Sequence, residues 1–279
     1  MPELAYVAPS LWYLAMEHRV VAERMLLAAA APFLRQRSPN PRLVLVLPGL
    51  GATDRSTLPL RSILSRQGHQ TYGWELGRHR IWTRERVAAV ERRLLWITRR
   101  HGAPITLIGI SAGGILAREL GRAHPDGIAQ VITIVSPFRH RDGDDNRIVR
   151  VFDRLRPGAT NHFAELPREE DRPALAMPSV AIYSRSDGFV DWRSCQEVRG
   201  PRRDNIEVRT SHLGAGTSVA VTVAVTERLR YPPEPWRPFV PPAGTQTLFP
   251  QFTVRKSGRS SRSLSRPYGG SPQMQSGER

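Results

Sequence analysis

The residues best suited to do chemistry are Gly109-Ile110-Ser111-Ala112-Gly113, a G-x-S-x-G pentapeptide between a strand-like apolar run and a helix-forming run. A serine in that setting sits on a sharp strand-to-helix turn that projects its Oγ above a sheet. Bulky residues at Gly109 or Gly113 would collide with adjacent strands. The hydroxyl attacks a carbonyl carbon only if a base takes its proton, and the base needs an acid to hold its tautomer. On this kind of turn the three groups follow the chain order Ser, then Asp or Glu, then His.

The rest of the chain meets that order. Of eight histidines only His212 follows a suitably placed acid, in Thr-Ser-His-Leu-Gly after the apolar run Ile206 to Val208. The acid is expected at Asp187, in the loop that ends the run Ser179 to Tyr183. Asp191 is its rival, but it begins a short helical stretch and reads as an N-cap, whereas Asp187 lies nearer the strand end and beside Gly188. Two backbone donors should face the oxyanion: the Ala112 amide after the nucleophile, and the Leu50 amide in Leu47-Pro48-Gly49-Leu50-Gly51.

Positioning these groups requires a sheet. Leu43 to Leu47, Ile105 to Ile110, Val131 to Val135, Ser179 to Tyr183 and Ile206 to Val208 are short apolar runs of the kind buried on both faces of a parallel sheet. Helical stretches at Thr83 to Arg100, Ala112 to His124 and Ser218 to Arg230 alternate with them, which predicts an α/β fold with a mostly parallel central sheet and helices on both faces. The expected organisation is an amphipathic helical segment over 1–40, a catalytic domain over 41–238, and a basic, disordered Pro/Ser/Gly-rich tail over 239–279. Residues 137–178, polar and charge-rich with a short helix expected from Arg147 to Leu155, read as an insertion that caps one sheet edge. No repeat of solenoid or propeller period is visible.

The formal charge of +16 invites a nucleic-acid reading. Yet all the basic residues but Lys256 are arginine, which points to GC-rich codon usage, and the Arg-rich stretch beyond Phe252 has no aromatic but Tyr268 to stack on bases, so nucleic acid is not the expected partner. Asp142 to Asp153 echoes a calcium loop but has Arg147 where glycine is needed, so a solvated loop is expected and no metal. A single cysteine, Cys195, and the lack of a signal-peptide pattern or a membrane-spanning run suggest a cytoplasmic site. The amphipathic stretch Ala8 to Leu34 is suited to packing on its own domain, the commoner fate, to flapping over an apolar site, or to peripheral contact with a membrane.

Val-Leu-Pro-Gly-Leu-Gly, Tyr-Gly-Trp-Glu-Leu-Gly-Arg, Gly-Ile-Ser-Ala-Gly-Gly, Ser-Pro-Phe, Tyr-Ser-Arg-Ser-Asp-Gly and Ser-His-Leu-Gly together resemble the bacterial α/β-hydrolase serine esterases and lipases over about Arg42 to Pro238. The resemblance implies a cofactor-free hydrolase of small-molecule or lipid esters, with Ser111, Asp187 and His212 as its triad. His79 departs from the asparagine and Asp191 from the proline that relatives tend to carry, outside that triad. An acyltransferase or lactonase using the same three residues stays open, because acceptor choice depends on pocket shape. A non-catalytic binding protein of the same fold would usually have lost one of the three.

Overall fold

The computed structural model describes residues 6–80, 83–139, 147 and 166–252. The helix expected from Arg147 to Leu155, most of the 137–178 insertion, the Asp142 to Asp153 loop and the tail beyond 252 lie outside the described residues.

Six parallel strands form one sheet in the order β2-β1-β3-β4-β5-β6. They are β1 (Leu43–Leu47), β2 (Gln70–Gly73), β3 (Ile105–Ile110), β4 (Ile128–Ile134), β5 (Ser179–Tyr183) and β6 (Arg203–Glu207). The central strands are apolar on both faces because helices cover both. On one face Val44, Val46, Ile108, Ile132, Val180 and Ile182 pack with α3 (Asp54–Arg66) and α6 (Val219–Arg230). On the other, Leu45, Leu107, Val131 and Ala181 pack with α4 (Arg84–His101) and α5 (Ala112–Ala123). Thr83 and Ser218 accept from backbone amides at the starts of α4 and α6, which places each helix one residue inside its expected boundary.

Two elements lie outside those expected. Strand β2 is the polar edge segment Gln-Thr-Tyr-Gly, and α3, although capped by Thr53 and apolar along Leu60, Ile63 and Leu64, is interrupted by Pro59. Tertiary bonds hold them: the Asp54 carboxylate at the start of α3 accepts from the amides of Trp74 (2.9 Å) and Glu75 (3.1 Å), just beyond β2.

Packing also continues past the expected domain boundary at 238. Phe249 is fully buried and meets Phe239 edge-on at 4.9 Å, with Phe252 6.0 Å from Phe239. The Gln251 side chain accepts from Glu207 N (2.6 Å) and donates to Asn205 O (3.3 Å), so it satisfies the free edge of β6. Proline and glycine content suggested disorder here, but three phenylalanines spaced along the segment supply the buried surface that keeps it in place.

The N-terminal segment is helical as expected, in four pieces: α1 (Leu11–Ala15), a 3-10 turn (Met16–Arg19), α2 (Val20–Ala30) and a second 3-10 turn (Ala31–Leu34). No helix among the described residues is long and apolar enough to cross a membrane.

A buried ion cluster fastens α5 to the loops around it. Arg118 donates from Nε to Glu169 Oε1 (3.1 Å), also pairs with Glu197, and lies 4.0 Å over the Phe138 ring. Glu197 accepts in addition from Ser179 Oγ at 2.5 Å. Removing one partner of a buried ionic group strands the others, so Arg118→Ala should lower unfolding free energy by about 3–5 kcal/mol, read from urea denaturation.

Candidate active site

Ser111 ends β3 and precedes α5 with φ 52° and ψ −124°, a conformation that L-residues avoid. Neighbouring backbone enforces it. The Ser111 amide donates to Ile134 O at the end of β4 (2.8 Å), and Gly114 N donates back to Ser111 O (2.9 Å). A Cβ on Gly109 would stand 2.2 Å from Gly113 O, and one on Gly113 would stand 2.4 Å from Leu47 O. Both glycines are therefore steric requirements of the turn, as the pentapeptide predicts.

The three expected residues, 76 or more positions from the serine in two cases, converge on one another. Ser111 Oγ lies 2.9 Å from His212 Nε2, and His212 Nδ1 lies 2.6 Å from Asp187 Oδ2. The other Asp187 oxygen accepts from the amides of Phe189 (2.7 Å) and Val190 (2.9 Å), which fixes the carboxylate's orientation. With an acceptor at Nδ1 the imidazole carries its proton there, leaving Nε2 to accept from the serine hydroxyl. All three side chains are buried. Asp191 does not join them: it caps the 3-10 turn Trp192–Cys195, accepting from Arg193 N (2.9 Å).

Burial pulls the His212 pKa down, but the charge and hydrogen bond of Asp187, with the charge of Glu17, carry it above the ordinary histidine value. Such a relay can accept a proton from Ser111 while stabilising the resulting imidazolium.

The loop that carries Leu50 lies against Ser111: a Cβ on Gly49 would meet Ser111 Cβ at 3.2 Å and Oγ at 3.9 Å. Ala112 is the first residue of α5, where an amide has no intrahelical acceptor. His79 braces the Leu50 loop from behind. Its Nδ1–H donates to Pro48 O (2.7 Å), its carbonyl accepts from Gly51 N (2.6 Å), and its amide donates to Ala52 O (2.7 Å).

Sequence reasoning missed a second set of contacts, made by the charged side chains of the N-terminal segment. Glu17 is buried. Its Oε1 accepts from Gly188 N and His212 N, and its Oε2 from Leu213 N, each at 2.9 Å. Glu23 accepts from Ser211 N (2.8 Å) and Ser211 Oγ (2.6 Å), while Arg19 donates to Ser186 O (2.7 Å) and Ser186 Oγ (2.9 Å). Many apolar side chains of the segment point outward instead, Phe33 at 86% exposed, Leu11 at 73%, and Trp12 and Met25 at 69% each, while Leu27 is buried. An amphipathic pattern reports two faces without saying which one is buried, and here Glu17, Arg19 and Glu23 face inward together with Leu27.

No family model matches the chain, and no curated protein does. Solved structures do. The mature lipase BlEst2 of Bacillus licheniformis is 14% identical with a TM-score of 0.51, over 70% of this chain and 94% of that one. Lipase B of Aspergillus fumigatus is 13% identical with a TM-score of 0.51, over 71% of this chain and 55% of the lipase. A structure from the metagenome-derived lipolytic enzymes LipS and LipT is 18% identical with a TM-score of 0.50, over 68% of this chain and 93% of that one. At these identities the likeness is one of fold, and the fold is that of the α/β-hydrolases.

Burial, with the charge of Arg86 adding to it, lowers the His79 pKa to about 4; burial and the charge of Arg42 do the same to His69, which must stay unprotonated at Nδ1 to accept from Arg42 N (3.0 Å). Between the ordinary histidine value of 6.5 and about 4 the unfolded chain binds these protons and the folded chain does not. The contribution of these two histidines to stability is therefore full above pH 6.5 and lost as pH falls toward 4, with roughly 3 kcal/mol of the loss from His79. Urea midpoints measured from pH 7 to 4 should show this fall. His79→Asn, which keeps a donor for Pro48, should make it shallower.

Proposed function

We propose that the protein is a serine hydrolase of carboxylic esters, with Ser111 as nucleophile, His212 as general base and Asp187 as the acid that orients it. The observation that carries this reading is the hydrogen-bonded series Ser111, His212, Asp187 built on a strained strand-to-helix turn. His212 takes the serine proton as Oγ attacks the ester carbonyl. The tetrahedral oxyanion is received by the amides of Ala112 and Leu50, each contributing about 3 kcal/mol in such sites. His212 then gives its proton to the departing alcohol, leaving an acyl-enzyme. A water molecule deprotonated by His212 releases the acid and restores Ser111.

A lipid ester is the substrate class best suited to the surroundings. Of the twelve large hydrophobic side chains that stand exposed among the described residues, seven lie between Val7 and Phe33. Leu213, next to the base, is another. Arg24, Arg35 and Arg37 are exposed along the same stretch, whereas Glu17 is buried and Glu23 is turned inward to Ser211. An apolar face edged with arginine and, among the described residues, without exposed acid complements an anionic lipid surface. Glu17 and Glu23 tie the same segment to the loops that carry Asp187 and His212.

Two experiments test these readings. A fluorophosphonate should label wild-type protein at Ser111, and p-nitrophenyl ester turnover should fall at least about a thousandfold in Ser111→Ala. The acid limb of kcat/KM should lie above pH 6.5, because the neutral imidazole is the active form and its pKa is raised. No label and no turnover with any chain length of ester would sink the assignment. For the surface, the protein should co-sediment with phosphatidylglycerol-containing vesicles at low salt, less with pure phosphatidylcholine, and least as a Trp12→Glu, Met25→Glu double variant. Equal sedimentation of the double variant, or a stable dimer that hides this face without lipid, would overturn the lipid reading.

A further inference from the structure

We infer that Glu17 is a positioning residue of the triad, holding the acid loop and the base loop in register through a single carboxylate. The inference rests on the proposed hydrolase reading and adds to it a fourth side chain, supplied by a segment outside the sheet.

Oxygen Oε1 of Glu17 accepts both from Gly188 N, the residue after Asp187, and from His212 N, the backbone of the base itself. Oxygen Oε2 takes Leu213 N, the next residue along. Three N–H groups converge and no acceptor joins them, so the site takes an acceptor-only group. A carboxylate fits it, and an amide must turn an NH2 against one of the donors. Because one oxygen is shared between residues 188 and 212, a shift of either loop stretches a bond to the other. The 2.6 Å Asp187–His212 contact is thus braced through the backbone of both loops.

The closeness of the docking is written into two glycines. A Cβ on Gly188 would stand 2.6 Å from Tyr13 O and 2.8 Å from Leu14 Cα; one on Gly214 would stand 2.6 Å from Glu23 Cδ. At Gly188 the clash is with backbone, so any other residue there would hold the segment off and pull the Glu17 carboxylate out of reach, whereas a side chain at Gly214 would displace the Glu23 carboxylate. The carboxylate also acts by charge, as one of the influences that raise the His212 pKa after those of Asp187. A strap of purely mechanical purpose would leave that charge effect out.

The experiment compares Glu17→Gln, Glu17→Asp and Glu23→Gln with wild type by kcat, KM, the pH profile of kcat/KM and thermal melting. Glu17→Gln is expected to lower kcat about tenfold with little change in KM and to move the acid limb to lower pH, since the charge that supports the imidazolium is gone. Glu17→Asp keeps the charge but is too short to reach both loops, so kcat should fall while the acid limb stays. Glu23→Gln loosens the same segment through Ser211 and should lower the melting temperature without moving the acid limb. An unchanged kcat and acid limb in Glu17→Gln overturns the inference, as does an equal shift of the limb in Glu23→Gln. If the Gln variant does not fold, the Asp variant decides: unaltered kcat there overturns it. Wild-type protein that neither labels nor turns over would instead count against the hydrolase reading, so the two failures are distinguishable.

Discussion

The structure depends on one backbone conformation, the positive φ of Ser111. Left alone, a residue in that region costs about 1–3 kcal/mol, and it persists only where its surroundings over-determine it. Here the end of β4 accepts its amide, the end of β1 presses on Gly113, and α5 begins immediately after it. The parallel sheet brings three strand ends and one helix start to the same point, which is why the hydroxyl can stand clear of the backbone that carries it. Every other part of the candidate site is arranged around that fixed oxygen.

The loops after β5 and β6, which carry Asp187 and His212, have no comparable strain to hold them. Their placement comes from hydrogen bonds: Asp187 to the amides of its own turn, Ser184 Oγ to Thr210 O (2.7 Å) across the pair, and the Glu17, Arg19 and Glu23 side chains from outside. The same inward turn of charge leaves the apolar face of the N-terminal helices in solvent. Site geometry and surface character are two results of one choice of face.

Much of this was legible in the chain. The apolar runs of β1, β3 and β5 coincide with the strands to the residue, whereas β4 starts three residues before its run, at Ile128, because Gln130 sits within the strand and breaks the apolar pattern. That Ser111, Asp187 and His212 would come together could be read from their order along the chain, since a parallel sheet presents its C-terminal loops in a row. Strand β2 could not be found: an edge strand of four residues is held by Asp54 and not by its own pattern. Glu17 was hidden for a different reason. A glutamate on an amphipathic helix looks like a solvated charge until its partners, more than 170 positions away, are brought beside it. The phenylalanines beyond Pro238 were masked by their proline-rich setting, although each is the kind of residue that seeks a core.

The Glu17 contacts join a helix near the start of the chain to loops near residues 188 and 212. During synthesis the helix leaves the ribosome before the sheet and the His212 loop after β6, so the sheet through β5 can form while the glutamate still lacks its partners. Closing so long a span adds little entropy beyond what the folded sheet has already spent, because the ends are near one another by then. The carboxylate is thus seated only after the loop that follows β6 has emerged, and a nascent chain with its Ser111 turn complete still lacks the His212 contact. The alignment of Ser111, His212 and Asp187 is therefore set by chain made well after the turn that anchors it.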